Sequence, residues 1–365
     1  MSGEVLTSLE GGFGRITLDR PVALNALTEP MIRSIAAALD EWEGRVRGVM
    51  LDSTHPKAFC AGGDIRAIRS NTLEGAFERS RSFFASEYRL NERIATYPSP
   101  FLSLIDGVCM GGGMGLSIHG GIRVVTENSL MAMPETAIGF FPDVGASYFL
   151  SRLPGALGAY WGLTGARISP GDAMHGGLGT HYVAELDAQE LFDALVHGGE
   201  ETVAEVVDRF TRPAPPSEVA RHRGRIDEVF SAHSVAELFG RLEVDGSEWS
   251  EQVRATLRSM SPQSLEVTHA LLRWARKESL QSCLRAELAL AGQITRTDDF
   301  IEGVRAMLVD KDKNPQWGRA RFRGLDHAGN ALWEPGALVD ELVSTHERRP
   351  SEPRVRGSKS RMRSE

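Results

Sequence analysis

Residues 101–150 read FLSLIDGVCMGGGMGLSIHGGIRVVTENSLMAMPETAIGFFPDVGASYFL, and this stretch carries the clearest structural pattern of the chain. The apolar run 101–105 lies between Pro100 and Gly107, which predicts a short buried strand. A glycine triplet at 111–113 follows, and glycine permits positive φ or a close approach of the backbone to a ligand. Apolar and small residues after the triplet predict a buried helix. The free N–H groups at the start of such a helix would point towards whatever binds there.

Two acidic residues follow the glycine triplet in apolar surroundings. Glu135 lies in AMPETAI and Asp143 lies in GFFPDVG, after a second predicted strand at 123–126. A glycine turn rich in N–H donors, together with isolated carboxylates, is typical of an active site that stabilises an oxyanion. A simpler alternative stays open at this point. The triplet can serve only as a turn or for tight helix packing, and Glu135 only as a first-turn helix residue.

The composition sets limits on the class of protein. The chain has 365 residues, with 41% hydrophobic and 25% charged residues, as in an ordinary globular protein with a large core. Its net charge of -8 argues against nucleic acid as the main partner. The three cysteines, Cys60, Cys109 and Cys283, form no CxxC pair, which favours a reducing compartment and no structural metal site. With no apolar run of membrane-spanning length and no signal-like N-terminus, we expect a cytoplasmic protein with no membrane partner.

The region before residue 101 alternates strands and helices. Two apolar segments, 5–9 and 13–18, predict a hairpin, and Thr28 is placed to cap the helix that follows. The loop THPKAFCAGGDIRAI contains a second glycine turn at 62–63, just past a strand end, where ligands bind in α/β sheets. A helix is predicted over 73–96, and Glu87 on its own would be interpreted as a solvated residue of that helix. This alternation predicts a mainly parallel α/β core through about residue 190.

The second half of the chain is predicted to be mostly helical. Residues 188–210 form a predicted helix, and the Pro-rich segment TRPAPPS at 211–217 is the best candidate for a linker. Later apolar stripes are predicted to be packing faces, among them Leu280, Leu284 and Leu288. We therefore predict a core with the active site at 1–200, a helical C-terminal region at 201–325, and an irregular or disordered tail at 326–365. The last twenty residues carry seven Arg or Lys and few apolar groups.

Several common catalytic motifs are absent from the sequence. It has no GxGxxG opening a βαβ unit, no GxxxxGK[ST], no GxSxG and no HExxH. Dinucleotide-binding, nucleoside-triphosphate-binding, serine-hydrolase and zinc-protease functions therefore lose their main support. His119, next to the glycine-rich helix, is predicted to be a packed or surface histidine, with a catalytic role as the less favoured alternative.

Five segments together resemble the crotonase (enoyl-CoA hydratase/isomerase) superfamily, from about Val5 to Trp317. They are LNALT, KAFCAGGDIR, MGGGMGLSIHG, AMPETAIGFFPDVGASYFLSRLPG and FIEGVRAMLVDKDKNPQW. The resemblance implies an α/β fold with a ββα spiral core and a helical C-terminal region. It also implies an acyl-CoA thioester as the small-molecule substrate, no metal, and no cofactor other than the coenzyme A of that substrate. Members of the superfamily commonly form trimers or pairs of trimers, so a homo-oligomer is an open expectation.

The resemblance also implies roles for individual residues. Gly63 and Gly112 match the two N–H donors of an oxyanion hole, Glu135 matches a catalytic glutamate, and Asp143 matches an aspartate of the thioester hydrolases. Glu87 matches a glutamate that contacts substrate in those hydrolases. The segment that lines the coenzyme A moiety includes two further positions, Ala61 and Asp64.

Position 115 separates the two principal functions that the family suggests. In the familiar hydratases of this family, the glycine triplet is followed two residues later by the first of two catalytic glutamates. Here that position is Gly115, so hydrolysis of a short 3-hydroxyacyl-CoA is favoured over hydration of an enoyl-CoA. Glu135 can act as a general base or as a nucleophile. An inactive scaffold or RNA-binding relative is a third hypothesis, which the retained acids and the negative net charge oppose.

Overall fold

A computed structural model describes residues 3–318, 322–326, 329 and 331–333. The strands are β1 (Val5–Glu10), β2 (Phe13–Leu18), β3 (Gly48–Ser53), β4 (Ala58–Cys60), β5 (Phe101–Ile105), β6 (Val108–Met110), β7 (Ile122–Val125), β8 (Leu130–Ala132), β9 (His181–Tyr182), β10 (Phe322–Leu325) and β11 (Ala331–Trp333). The α-helices are α1 (Glu29–Trp42), α2 (Ile65–Leu73), α3 (Phe77–Ala95), α4 (Gly112–Ile118), α5 (Ala146–Leu150), α6 (Leu157–Thr164), α7 (Pro170–Gly176), α8 (Ala188–His197), α9 (Val203–Phe210), α10 (Val219–Phe230), α11 (Val235–Asp245), α12 (Glu248–Ser259), α13 (Pro262–Ala275), α14 (Leu280–Ile294) and α15 (Asp298–Val304). Short 3₁₀ turns cover Pro21–Ala23, Glu135–Ile138 and Glu185–Asp187, and a π-helical turn covers Arg305–Val309.

The main sheet has six strands in the order β1-β2-β3-β5-β7-β9. Only β1 and β2 pair antiparallel, as the predicted hairpin, and every other neighbouring pair is parallel. The predicted α/β class is confirmed. Parallel strands are joined through helices that cover the sheet, so their side chains are buried on both faces.

Strand β3 shows how both faces of this sheet are filled. Met50 packs with Phe13 against the helices α8 and α9, whereas Val49 and Leu51 belong to the larger core on the opposite face. Successive strand residues point to opposite faces, so this alternation is the expected consequence of burial on two sides. The segment 48–53 therefore reads as a nearly continuous apolar run.

A second sheet has three parallel strands in the order β4-β6-β8, each only three residues long. Each of them follows a strand of the main sheet: β4 follows β3, β6 follows β5, and β8 follows β7. A helix or helical turn comes next in all three cases, which makes the predicted repeated ββα unit. The short sheet was not predicted strand by strand, because three residues are too few to show a strand period.

Helices predominate beyond the sheets, and two of them pack directly on the core. Helix α14 contacts α3 and α5, and α13 contacts α5 and α6. The helix predicted over 73–96 is α3, with α2 as a separate helix before it, and the helix predicted over 188–210 is the pair α8 and α9. The Pro-rich segment 211–217 contains no helix or strand.

The domain boundaries at residues 200 and 325 stay predictions. Strand β11 pairs with β10, so ordered structure continues past the predicted start of the tail at 326. Residues 327, 328, 330 and 334–365 of that predicted tail lie outside the described residues. Within the described part of the chain, no helix is both long enough and apolar enough to cross a membrane.

Candidate active site

The three turns that follow the short strands deliver the candidate catalytic groups to one place. Gly63 follows β4, Gly112 opens the helix after β6, and Glu135 opens the 3₁₀ turn after β8. Since β4, β6 and β8 are neighbours in one parallel sheet, their carboxyl ends lie at the same edge. In parallel sheets this edge is where ligands bind.

The N–H groups of Gly63 and Gly112 face the same space. Gly112 is the first residue of α4, where an N–H has no acceptor within the helix. In residues 3–318, neither N–H donates one of the hydrogen bonds made in turns, loops or caps. A Cβ atom built on Gly112 would lie 3.2 Å from the Gly63 nitrogen. The preceding Gly111 has φ 47° and ψ -117°, a conformation that a residue with a side chain rarely adopts.

Glu135 lies beside this pair of donors. It is 7% exposed, and its Oε2 atom has no hydrogen-bond partner among the described residues. Its Oε1 atom approaches the Gly111 backbone so closely that a Cβ there would lie 2.7 Å away. Burial, reinforced by the nearby Asp143 carboxylate, raises the pKa of Glu135 well above its usual value. The site therefore holds a desolvated carboxyl group with a free oxygen at the donor pair.

Asp143 is held by a tyrosine that sequence reasoning did not assign to the site. The Tyr88 hydroxyl on α3 donates a hydrogen bond of 2.5 Å to Asp143 Oδ2, and both residues are buried. Desolvation raises the pKa of Asp143 to about 7, although the Tyr88 hydrogen bond works in the opposite direction. Asp143 can thus exchange a proton near neutral pH.

Glu87 is buried, which corrects the interpretation of its helix position as a solvated one. It is 2% exposed, its Oε1 atom has no partner among the described residues, and a Cβ on Gly112 would lie 2.3 Å from that atom. Desolvation, followed by the carboxylates of Asp143 and Glu135, raises the pKa of Glu87 well above its usual value. Helix α3 is covered by α1, α4 and α14. Glu87 is therefore buried by the packing of other helices, which its own helix sequence does not show.

These groups line one pocket of about 230 Å³. Its wall is mostly apolar, and the rings of Phe84 and Phe140 stack at 5.7 Å between centroids. Six predicted site residues line it: Ala61, Gly63, Glu87, Gly112, Glu135 and Asp143.

Asp64 is placed differently from the other predicted site residues. Its carboxylate caps α2 by accepting from the Ala67 N–H, and it pairs with Arg20 at 3.2 Å. It lines a neighbouring surface depression rather than the pocket that holds Glu135. These contacts assign Asp64 a part in fixing the start of α2, next to the glycine turn.

Gly115 lies where Val144 packs onto α4. A Cβ on Gly115 would be 2.6 Å from Val144 Cβ and 3.0 Å from Asn91 Nδ2. A glutamate at this position would therefore collide with the loop that carries Asp143. A second glutamate at position 115 and the observed Asp143 loop therefore exclude each other, because both would occupy the same space.

Two further residues hold the Asp143 loop from outside the pocket. His119 Nε2 lies 2.7 Å from the Val144 carbonyl oxygen, and burial lowers the pKa of this histidine. It is thus a packed histidine, one of the two states predicted for it. Glu287 on α14 accepts hydrogen bonds from Gly145 and Ser147. Sequence reasoning missed it, although it is three residues past Leu284 and so shares the apolar stripe.

Among the described residues, no group of three or more His, Cys, Asp or Glu side chains is arranged to hold a metal ion. The three cysteines are unpaired and buried.

The fold is that of a known class of proteins. The sequence model of the family described as enoyl-CoA hydratase/isomerase matches residues 13–330, so the chain belongs to this family, as its resemblance predicted. The most informative relatives carry a narrower name. The 3-hydroxyisobutyryl-CoA hydrolase, mitochondrial, of Xenopus tropicalis is 44% identical over 86% of this chain and 84% of its own length. The protein of the same name from Homo sapiens is 41% identical over 88% of this chain and 85% of its own length.

Two solved structures share the architecture. A carnitinyl-CoA dehydratase from Mycobacterium thermoresistibile has a TM-score of 0.81 at 38% identity, covering 87% of this chain and 92% of its own. An enoyl-CoA hydratase from Rhodobacter sphaeroides 2.4.1 has a TM-score of 0.81 at 37% identity, covering 94% and 96%. The predicted crotonase-like fold is thereby confirmed.

The predicted cytoplasmic location is wrong, because these hydrolase relatives are described as mitochondrial. The prediction combined the lack of a membrane-spanning run and of a signal-like N-terminus with unpaired cysteines, which favour a reducing compartment. Reduced thiols occur in every reducing compartment, so free cysteines do not distinguish the cytoplasm from another such compartment.

Proposed function

We propose that this enzyme hydrolyses the thioester of a short 3-hydroxyacyl-CoA, with 3-hydroxyisobutyryl-CoA as the substrate, to the free acid and coenzyme A. The hydrolase relatives support the reaction, and the pocket supplies groups suited to it. Coenzyme A is part of the substrate, and the chemistry uses only side chains and backbone groups of the chain.

The thioester carbonyl oxygen accepts hydrogen bonds from the N–H groups of Gly63 and Gly112. When oxygen attacks the carbonyl carbon, negative charge develops on this oxygen, and two preorganised donors stabilise it. Removing one such donor from an oxyanion hole costs about 2.7–4 kcal/mol in other enzymes. The low polarity of the surrounding wall strengthens this interaction.

Glu135 supplies the remaining chemistry by one of two routes. As a general base it removes a proton from water, the water oxygen bonds to the carbonyl carbon, and the carbon–sulfur bond then breaks. The proton passes from Glu135 to the departing thiolate. As a nucleophile it bonds to the carbonyl carbon itself, coenzyme A leaves, and water hydrolyses the resulting anhydride.

Asp143 and Glu87 flank the acyl group in this scheme. Asp143, held by Tyr88, orients the 3-hydroxyl group or shares in proton transfer. Glu87 has an unpaired oxygen in the described structure, and a substrate hydroxyl or a water would satisfy it. These roles make the 3-hydroxyl group a determinant of specificity.

The single observation that carries this function is the packing at position 115. Hydration of an enoyl-CoA needs an acid/base pair around one water, and Val144 occupies the space that a second glutamate would need at Gly115. The Asp143 loop takes that space. Hydrolysis requires only the donor pair, Glu135 and its supporting acids.

A panel of acyl-CoA thioesters tests the proposal. Thiol release is followed with a thiol reagent for 3-hydroxyisobutyryl-CoA, 3-hydroxypropionyl-CoA, isobutyryl-CoA and crotonyl-CoA, and enoyl absorbance is followed for the last. We expect thiol release to be fastest from the 3-hydroxyacyl substrates, with little loss of enoyl absorbance. Fast hydration of crotonyl-CoA without thiol release from any hydroxyacyl-CoA would overturn the proposal in favour of a hydratase.

Turnover in heavy-oxygen water tests the nucleophilic route of Glu135. If water attacks the Glu135 carbonyl carbon of the anhydride, heavy oxygen enters the Glu135 carboxylate, which mass spectrometry of the peptide detects. The general-base route never labels that peptide, so labelling of Glu135 establishes the nucleophilic route. Self-association of the chain is a separate proposal, which sedimentation analysis tests.

A further inference from the structure

A second buried carboxylate, outside the pocket, belongs to the helical C-terminal region. Glu287 on α14 is 0% exposed, and no Lys or Arg among the described residues forms an ion pair with it. Burial raises the pKa of Glu287 to about 8, although hydrogen bonds from Ser147 and Gly145 work in the opposite direction. A buried carboxyl group without a counter-ion is costly unless several donors satisfy it. The donors around Glu287 come from a distant part of the chain.

All of these donors lie just after Asp143. Glu287 Oε2 accepts from the Gly145 N–H at 2.6 Å, and Oε1 accepts from the Ser147 N–H at 3.0 Å and from the Ser147 hydroxyl at 2.5 Å. Both oxygens are therefore used, and they satisfy N–H groups at the start of α5. The residues joined are about 140 positions apart in sequence.

The loop held in this way has an unfavourable backbone. Val144 has φ 55° and Gly145 has φ 82°. Positive φ is a genuine outlier for a β-branched residue, and it persists only where the surroundings enforce it. The contacts that enforce it are the Glu287 hydrogen bonds and the His119 contact with the Val144 carbonyl.

We propose that Glu287 is a positioning residue for the hydrolysis: it clamps the turn 143–147 so that Asp143 meets Tyr88 in the pocket and Val144 stays packed on Gly115. The inference rests on the proposed function. It explains why an ionisable side chain lies in the apolar stripe of α14, and it makes the C-terminal helices part of the active-site framework. A displacement of about 1 Å in a catalytic group can cost up to about a hundredfold in rate.

The variant Glu287→Gln tests the clamp with little change of shape. Glutamine has one acceptor oxygen and an NH₂ group, so a donor would face either Gly145 or Ser147. We expect kcat per folded molecule to fall about ten- to hundredfold, with KM within about threefold of wild type. Ser147→Ala removes only one of the three hydrogen bonds and should give a smaller loss of kcat.

Leu290→Ala is the matched control for destabilisation of α14. Leu290 is fully buried one turn further along the same helix, and its truncation lowers the melting temperature without touching the clamp. Its kcat per folded molecule should stay within about twofold of wild type. If Leu290→Ala loses as much kcat as Glu287→Gln at a similar loss of stability, Glu287 has only a structural part and the proposal fails.

The decisive measurement is a double-mutant cycle with Asp143→Asn. If Glu287 acts through Asp143, then Glu287→Gln should lower kcat little further in the Asp143→Asn background. Fully additive losses, or an unchanged kcat in the single variant, would overturn the proposal. If the wild type releases no thiol, the proposed function fails instead. The clamp is then judged by hydrogen exchange at Gly145 and Ser147: faster exchange in Glu287→Gln than in Leu290→Ala supports it, and equal rates overturn it.

Discussion

Substituting Gly112 with alanine tests the oxyanion hole with a single methyl group. A Cβ at this position would lie 3.2 Å from the Gly63 nitrogen and 3.2 Å from Leu27 Cδ1. An oxyanion has to sit about 2.7–3.1 Å from its donors, so the methyl group would occupy nearly the same volume. The Cβ would also lie 2.3 Å from Glu87 Oε1, which is the end of a flexible side chain that can rotate away. The fold should therefore survive while the hole is obstructed.

The expected loss of rate follows from the number of donors affected. Losing one donor costs about 2.7–4 kcal/mol, or about a hundred- to a thousandfold in kcat. Steady-state kinetics with 3-hydroxyisobutyryl-CoA, combined with thermal unfolding, measures both consequences. Gly224→Ala is the matched control, because Gly224 is exposed on α10 and a Cβ there meets nothing within 4 Å. It should keep full activity and gain about 0.5–1 kcal/mol of stability.

Two results would refute the reasoning about the donor pair. If Gly112→Ala keeps kcat within about threefold of wild type while melting normally, the N–H groups of Gly63 and Gly112 do not bind the developing oxyanion. A large drop in melting temperature without loss of kcat per folded molecule would lead to the same conclusion.

Three further predictions concern the carboxylates of the pocket. Glu135→Gln should keep acyl-CoA binding, measured by calorimetry, but lower kcat by several orders of magnitude, and a rate within about tenfold of wild type would contradict its role. Asp143→Asn should also lower kcat, and its effect should not add to that of Glu135→Gln because both serve one step; an unchanged kcat with a lower melting temperature would leave Asp143 only a loop residue. Burial raises the pKa of Asp143 to about 7, against about 3.9 in the unfolded chain, so the folded state holds this proton more tightly and stability is lost as pH rises between those values. Urea unfolding should show Asp143→Asn gaining stability relative to wild type from about pH 4 to about pH 7, and a flat difference would show that the pKa is not raised.

Sequence patterns predicted the elements whose residues carry a local signal. The hairpin, the capped helix α1 and the strand Phe101–Ile105 all appear, because each shows its own periodicity or capping residue. The three-residue strands of the second sheet have no such signal. Their pairing depends on how one ββα unit stacks on the next. This stacking arises only in the folded chain, so the local sequence does not reveal it.

The residues of the candidate site also fall into those that a local sequence motif predicted and those that no local motif could predict. Gly63, Gly112, Glu135 and Asp143 were predicted from motifs, and the structure brings them to one pocket. Tyr88 and Glu287 hydrogen-bond to the segment 143–147 from helices whose local sequences indicate only packing. Their partners are 55 and about 140 residues away, so no local pattern could have joined them.

The three-stranded sheet β4-β6-β8 has a consequence for how related enzymes could come to catalyse different reactions. Adjacent strands of a sheet are about 4.8 Å apart, and here the first two strands, β4 and β6, set the distance between the two glycine donors. The third strand, β8, leads to Glu135 and the Asp143 loop. In the proposed function, the two glycine donors bind the thioester oxygen, whereas the reaction depends on Glu135, on the Asp143 loop and on position 115 of α4, where that loop packs. The Asp143 loop and the residue at position 115 could then be exchanged together, and the chemistry altered, while the two donors continue to hold the same carbonyl group.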